Sequence, residues 1–269
     1  MSDAPRRTSL SDVLEHMRPD GDAFRVKITP DWQQGRAVYG GLSTALCLEA
    51  AQRAFDDLPP LRSAMVRFIG PPKDASLVFR ARKVRQGRSA TFIDVEGVSA
   101  DSPVVHVSFV FGAARPSSFN GQWKDYPGYP LPDACPELFG FKGAPNFTHQ
   151  FETRFAGANL PVSGAEHGDL AGWLQHKDAA HHQSVLGLLC LADGMPPAAV
   201  AMMEKFSPVS SITWMFDIVG DLTATDDGWF LCRSTLDAIG EGYSSQNMAI
   251  WNTAGQPVLV GRQNCAIFA

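Results

Sequence analysis

Two stretches of this chain are apolar on nearly every side, so both read as helices enclosed by other structure and not laid on a surface. Over residues 42–55, Leu42, Ala45, Leu46, Cys47, Leu48, Ala50, Ala51, Ala54 and Phe55 cover most of a helical circumference. Over residues 182–205 the run SVLGLLCLADGMPPAAVAMM shows the same pattern and predicts a second long helix. Period-two alternation places strands around them. In the first half these lie at 23–29, 62–69, 76–84, 89–99 and 104–111, with a turn at 100–103. In the second half they lie at 147–155, 172–176, 210–219, 228–239, 244–252 and 258–268.

The two sets of elements are copies. Gly41 and Gly194 are 153 residues apart, Gly87 and Gly242 are 155 apart, and Pro103 and Pro257 are 154 apart. The segment VYGGLSTALCLEAA aligns with LADGMPPAAVAMM, and RQGRSATFIDVEGVSADSPVVHVSF with GEGYSSQNMAIWNTAGQPVLVGRQ. A small domain duplicated in tandem follows. One lone helix inside a strongly curved antiparallel sheet is the hot-dog arrangement, and Gly41, Ser43 and Ala45 allow the close approach that wrapping needs. The expected fold is therefore α+β: a tandem, or double, hot-dog. Its divisions are a flexible N-terminal segment (1–20), a first domain (21–115), a linker (116–145) and a second domain (146–269). The linker is rich in Pro and Gly without periodicity, and its Trp123, Tyr126, Tyr129 and Phe139 are expected to pack along the surface.

Composition narrows the partners. The chain has 269 residues, 45% hydrophobic and 19% charged, with 23 basic and 28 acidic side chains and a net charge of −5. That balance offers no field for a nucleic-acid backbone or an anionic membrane surface, so neither partner is expected, and any anionic ligand must be held locally. No apolar run approaches the roughly 20 residues that span a bilayer, and the N-terminus lacks a signal-peptide core, so the expectation is cytoplasmic residence. The five cysteines are odd in number, scattered and without a CxxC pair, as reduced buried thiols would be.

The duplication also isolates the unusual residues. Asp193 stands where the first half has Gly40, and Gln263 where it has Phe109, which suggests that the second copy carries polar chemistry. A carboxylate inside an apolar helix needs hydrogen bonds or a proton; the alternative is an exposed, helix-breaking Asp-Gly beside Pro196 and Pro197. On the last strand Gln263 shares a face with Leu259 and Gly261. If Leu259 faces the helix, the Gln263 carbonyl would accept a hydrogen from a water beside Asp193; otherwise it is a solvent-facing strand residue. Ser211 opens the strand after the helix, corresponds to Ser63, and reads as a third water ligand or an ordinary strand serine. His181 and His182 are adjacent, diverge on a helix and suit a helix start better than a metal. The RQGRS segment, with Arg88, reads as a tight turn or, with Arg36 and Arg67, as a phosphate contact. No GxSxG, SxxK, P-loop or HExxH motif occurs.

These segments together resemble the bacterial acyl-CoA thioesterase II group of the thioesterase-like superfamily. The resemblance rests on VYGG with its Ala-rich helix, RSAMVRFIGPP, VRQGRSATFIDVEG and VSFVFG in the first half, and on LLCLADGMPPA, PVSSITWMF and LVGRQ in the second. It implies hydrolysis of an acyl-CoA thioester by an oriented water. The catalytic positions it implies are Asp193, Ser211 and Gln263, with Ser210 fitting the serine's place after a one-residue shift. Gly40 and Gly41 would contact the substrate near the oxyanion, Arg88 would meet coenzyme A, and the apolar helix-sheet surface would take the acyl chain. It implies no metal and no cofactor beyond coenzyme A as part of the substrate. A hot-dog hydratase would pair Asp with His five residues on, where this chain has Ala198. A non-catalytic acyl-CoA or acyl-lipid binding protein remains the alternative from another class. A homodimer or larger homo-oligomer stays open.

Overall fold

The computed structural model describes residues 7–139 and 144–268. Twelve of its strands form one antiparallel sheet, ordered β1-β2-β6-β7-β8-β5-β11-β14-β13-β12-β10-β9. From the first half come β1 (Arg18–Asp20), β2 (Ala23–Lys27), β5 (Leu61–Phe68), β6 (Ser76–Gln86), β7 (Thr91–Ser99) and β8 (Ser102–Phe111). The second half contributes β9 (Phe151–Ala158), β10 (Asp169–His176), β11 (Val209–Ile218), β12 (Trp229–Gly240), β13 (Tyr243–Asn252) and β14 (Pro257–Ile267). Two short strands, β3 (Gln33–Gln34) and β4 (Ala37–Val38), form a separate hairpin. The halves join where β5 pairs with β11, Met65 opposite Met215, so their apolar faces share one core. This is a double hot-dog of the α+β class.

The strand ladders carry the duplication to single residues. Three β-bulges recur at matching places: Leu61/Ser63 and Ser211/Thr213, Lys83/Arg85 and Leu236/Ala238, Gly97/Val98 and Ile250/Trp251. A bulge re-aims the strand and fixes its register. The first pair corrects the expected match of Ser211 with Ser63. Leu61 pairs with Phe111 on one side of its bulge, as Ser211 pairs with Cys265, so Ser211 occupies the place of Leu61.

The helices diverge more. The first copy's helix α2 (Gly40–Ala54) has ten buried residues, among them Leu42, Ala45, Leu46 and Leu48, and sits within the sheet's curve as expected. The second copy has no long helix over 182–205. Its helix α3 (Val185–Ala192) ends at Asp193, and after Pro196 and Pro197 only a single 3-10 turn follows at Ala198–Met202. A residue before proline is driven from the α region, and proline has no N–H to continue a helix. Pro197 is accordingly extended, at φ −54° and ψ 140°.

The ends differ from expectation too. Within the segment read as flexible, Leu10–Glu15 is helix α1, closed by a Ser9/Asp12 capping box, and Leu10, Val13 and Leu14 are buried. Its start is also tied to the second copy, because the Ser11 N–H donates to Asp178 Oδ2 at 2.8 Å. The signal was present in SLSDVLE, a capping serine three residues before an acid. In the linker, Tyr126 meets Trp251 edge-on and Tyr129 lies against Arg233, covering a small apolar cluster on the outer face of the second copy's strands. Phe139 is partly buried against the core. Trp123, expected to pack, is 85% exposed.

Candidate active site

The break after α3 puts a carboxylate at the meeting of two helix ends. Asp193 is the C-cap residue of α3, at φ −91° and ψ 9°. It faces the N-terminus of α2, whose own cap residue, Tyr39, makes no side-chain cap bond. The Gly41 N–H donates to the Asp193 carboxylate. A carboxylate from the second copy thus caps the first copy's helix, where unsatisfied N–H groups and the helix dipole favour negative charge. Glycine is required at the approach: a Cβ on Gly40 would collide with Asp193 Oδ2, and one on Gly41 with the Cys190 carbonyl. The two ends are tied by Tyr39, fully buried and stacked on Phe147 at 4.0 Å, whose hydroxyl donates to the Cys190 carbonyl at 2.6 Å.

Strands β11 and β14 bring the other candidates to this point. Leu259, Gln263 and Cys265 are buried while Arg262 is exposed, so the face of Gln263 is the inward one. Gln263 Nε2 donates to Asp193 Oδ1 at 2.8 Å and to Ser211 Oγ at 2.9 Å. Ser211 is half-buried and Ser210 is exposed, which selects Ser211 between the two serines. Asp193, Ser211 and Gln263 therefore converge, and the reading of Asp193 as an exposed helix breaker fails in one respect only: the helix does break there, but the carboxylate is enclosed.

The amide of Gln263 is turned opposite to the expected sense. Both of its N–H bonds are taken by Asp193 and Ser211, and its carbonyl accepts from Gln246 Nε2 at 2.8 Å and from the Cys265 thiol at 3.5 Å. It orients the acid and the hydroxyl, and its carbonyl does not face them. Gln246, fully buried on β13, was missed from sequence, although a glutamine sharing a strand face with Met248 and Ile250 was the available signal.

Burial dominates the electrostatics. It pushes the Asp193 pKa from 3.8 up to about 7, against the hydrogen bonds from Gln263 and Gly41, which pull it down. Burial also raises the Cys265 thiol to about 12 and the Tyr39 hydroxyl well above its ordinary range, so both stay neutral beside the acid. A carboxylate poised near neutrality, with a hydroxyl held beside it, can take a proton from a small nucleophile at physiological pH.

Other candidates lie apart. Arg88 is exposed in the β6–β7 turn, at the Leu61 end of the sheet, whereas Ser211 lies beyond its Arg67 end. The seven residue-to-residue steps from Leu61 to Phe68 alone span roughly 23 Å of strand, so Arg88 is not brought to Asp193. His181 and His182 stand by a short 3-10 turn, bonded to Ser184 Oγ and to the His176 carbonyl. Among the described residues no group of three or more His, Cys, Asp or Glu is placed to hold a metal. The five cysteines are free. No helix among the described residues is long and apolar enough to cross a membrane.

Residues 28–112 match the acyl-CoA thioesterase N-terminal domain, and residues 130–267 match the acyl-CoA thioesterase C-terminal domain. The chain belongs to the acyl-CoA thioesterase family. Three solved structures share this family member's fold from end to end. A protein of unknown function with a hot-dog fold from Alicyclobacillus acidocaldarius superposes with a TM-score of 0.88 at 19% identity, covering 97% of this chain and 98% of that one. An acyl-CoA thioesterase II from Mycobacterium marinum gives 0.75 at 17% identity, covering 96% and 98%. The tesB protein of Mycobacterium avium subs paratuberculosis gives 0.76 at 16%, covering 97% and 100%. None of the curated proteins compared with this family member matches it.

Proposed function

We propose that the protein hydrolyses an acyl-CoA thioester by direct attack of a water that Asp193 deprotonates. The observation that carries this reading is geometric: one glutamine amide, Gln263, donates to both an enclosed carboxylate and a serine hydroxyl, and burial raises that carboxylate toward neutrality. In the ionised form Asp193 accepts one proton of the water. Ser211 Oγ accepts a hydrogen from Gln263, so its own hydrogen is left to hold the water's oxygen or the thioester carbonyl. The attack forms a tetrahedral oxyanion, which the positive N-terminal turn of α2 stabilises. Collapse expels the coenzyme A thiolate, and the proton held by Asp193 leaves with the sulfur. No covalent enzyme intermediate is needed, because a thioester is already a good electrophile. Gln263 acts on the acid and the serine and not on the water itself.

Release of coenzyme A thiol from short-chain, long-chain and aromatic acyl-CoA thioesters tests the reading. The wild type should turn over at least one class, with kcat/KM rising with pH to an inflection near 7 as Asp193 ionises. Asp193→Asn should lower turnover by about 10²–10⁴-fold, the usual contribution of a positioned base, while the fold is kept. Acyl-CoA binding without turnover by the wild type, or full turnover by Asp193→Asn, would overturn it in favour of a binding protein or another base.

A further inference from the structure

The site's polarity is set from outside it. The Ala198 N–H, the first after Pro196 and Pro197, donates to Gln246 Oε1 at 2.6 Å. Gln246 Nε2 donates to Gln263 Oε1 at 2.8 Å, and Gln263 Nε2 donates to Asp193 and Ser211. A side-chain amide can turn end for end, but a backbone N–H is always a donor, and an ionised carboxylate only accepts. With a fixed donor at the Ala198 end, both glutamines have only one orientation that satisfies every bond. Gln246 is fully buried, and so is Gln263 to within 2%. Turning either amide would set donor against donor inside the core, at the price of an unmade buried hydrogen bond.

We infer that Gln246 is a positioning residue for this site, transmitting the direction of the Ala198 N–H to Gln263 so that Gln263 always presents its donors to Asp193 and Ser211. The equivalent place in the first copy supports the assignment. Gln246 pairs across the ladder with Gln263, as Ile93 pairs with Phe109. Where the acid is absent the relay is absent as a unit, replaced by two apolar residues that are themselves buried. A glutamine needed only to cap the Ala198 N–H would not require a second glutamine beside it. The inference gives a reason for the Pro-Pro break as well: without it, residue 198 would lie inside a helix and its N–H would be bonded within that helix.

The inference rests on the proposed role of Asp193 for its kinetic consequence, but its structural half is measurable without turnover. Asp193 is titrated directly through its side-chain carboxyl carbon by NMR, in the wild type, in Gln246→Leu and in Gln246→Met. Gln246→Leu removes both relay bonds. Gln246→Met, close to glutamine in length and volume, removes them too, and neither variant adds a charge that would itself shift Asp193. In each variant Gln263 is released, the carboxylate loses a held donor, and the Asp193 midpoint should rise by about one pH unit or more. Where hydrolysis is measured, the kcat inflection should move with it and kcat should fall about tenfold, with KM little changed. A midpoint that stays in place in a folded variant, whatever its melting temperature, would reduce Gln246 to a structural cap and overturn the inference. Should Gln246→Leu fail to fold, Gln246→Met gives the same reading. A wild type without hydrolysis, but with a midpoint that moves in the variants, would sink the thioesterase reading and leave the relay standing.

Discussion

At matching places on one duplicated scaffold, the second copy holds Ser211, Gln263 and Gln246 where the first holds Leu61, Phe109 and Ile93. The three apolar residues are buried, at 6%, 1% and 0% exposure. Phe109 lies 6.0 Å from Phe111, ring to ring. The order of the six sheet strands and three of the bulges are the same in both copies. What separates a dry core from a candidate active site is therefore whether every buried polar group finds a partner. One amide alone in the first copy would be a defect; three polar side chains, a backbone N–H and a carboxylate together are stable. The helices show the same division. The first copy keeps a full helix and contributes its positive end, while the second breaks its helix and contributes the acid that caps that end.

Exchanging residues between the copies should break the comparison most strongly. Gln263→Phe, which installs the first copy's residue, is expected to lower thioester turnover by about 100-fold because Asp193 and Ser211 lose their common donor. The reciprocal Phe109→Gln should leave turnover nearly unchanged. It should destabilise the fold by about 3–5 kcal/mol, because it combines a lost aromatic with an amide set among apolar Ile93, Ala64 and Phe111. Steady-state kinetics and urea unfolding of the two variants, measured together, separate these effects. Equal loss of turnover in both would mean that the copies are not functionally distinct.

The pH dependence of stability sharpens the same contrast. Asp193 holds its proton more tightly in the folded chain, at about 7, than the ordinary carboxylate value of 3.8. Its contribution is thus fully present below 3.8 and is lost as pH rises to about 7, at about 1.4 kcal/mol per pH unit between the two. Asp193→Asn should flatten that part of the unfolding-energy profile. An unchanged slope would show that the acid is ordinary in the folded state. The smallest effect is expected at Arg88, on the first copy's far turn. Arg88→Ala should change KM for an acyl-CoA by less than about twofold, and a tenfold rise would show that coenzyme A reaches that turn.

The linker and N-terminus show how local signals fare against packing. The capping box at Ser9 and Asp12 is a strictly local device, and it forms in the structure although the polar first residues obscured it. Tyr126 and Tyr129 find apolar surface on the second copy's strands, but Trp123 does not, since the chain crosses there with its ring outward. Nothing in a single aromatic residue says on which side its neighbour lies.

The duplication, the strand pattern, the enclosed first helix and the acid at Asp193 were determined by the sequence itself, because each depends on periodicity or on a residue standing out among its neighbours. Gln263 and Ser211 stood as candidates from the same reading, each beside an ordinary alternative, and the resemblance of whole segments added their catalytic roles. Only the tertiary structure decided that Asp193 ends a helix and caps another, that Ser211 takes the place of Leu61 through a bulge, and that Arg88 lies far from the acid. It alone decided which way the Gln263 amide points. These are questions of direction between segments more than a hundred residues apart, and hydrogen bonds acquire a direction only when the partners are brought together.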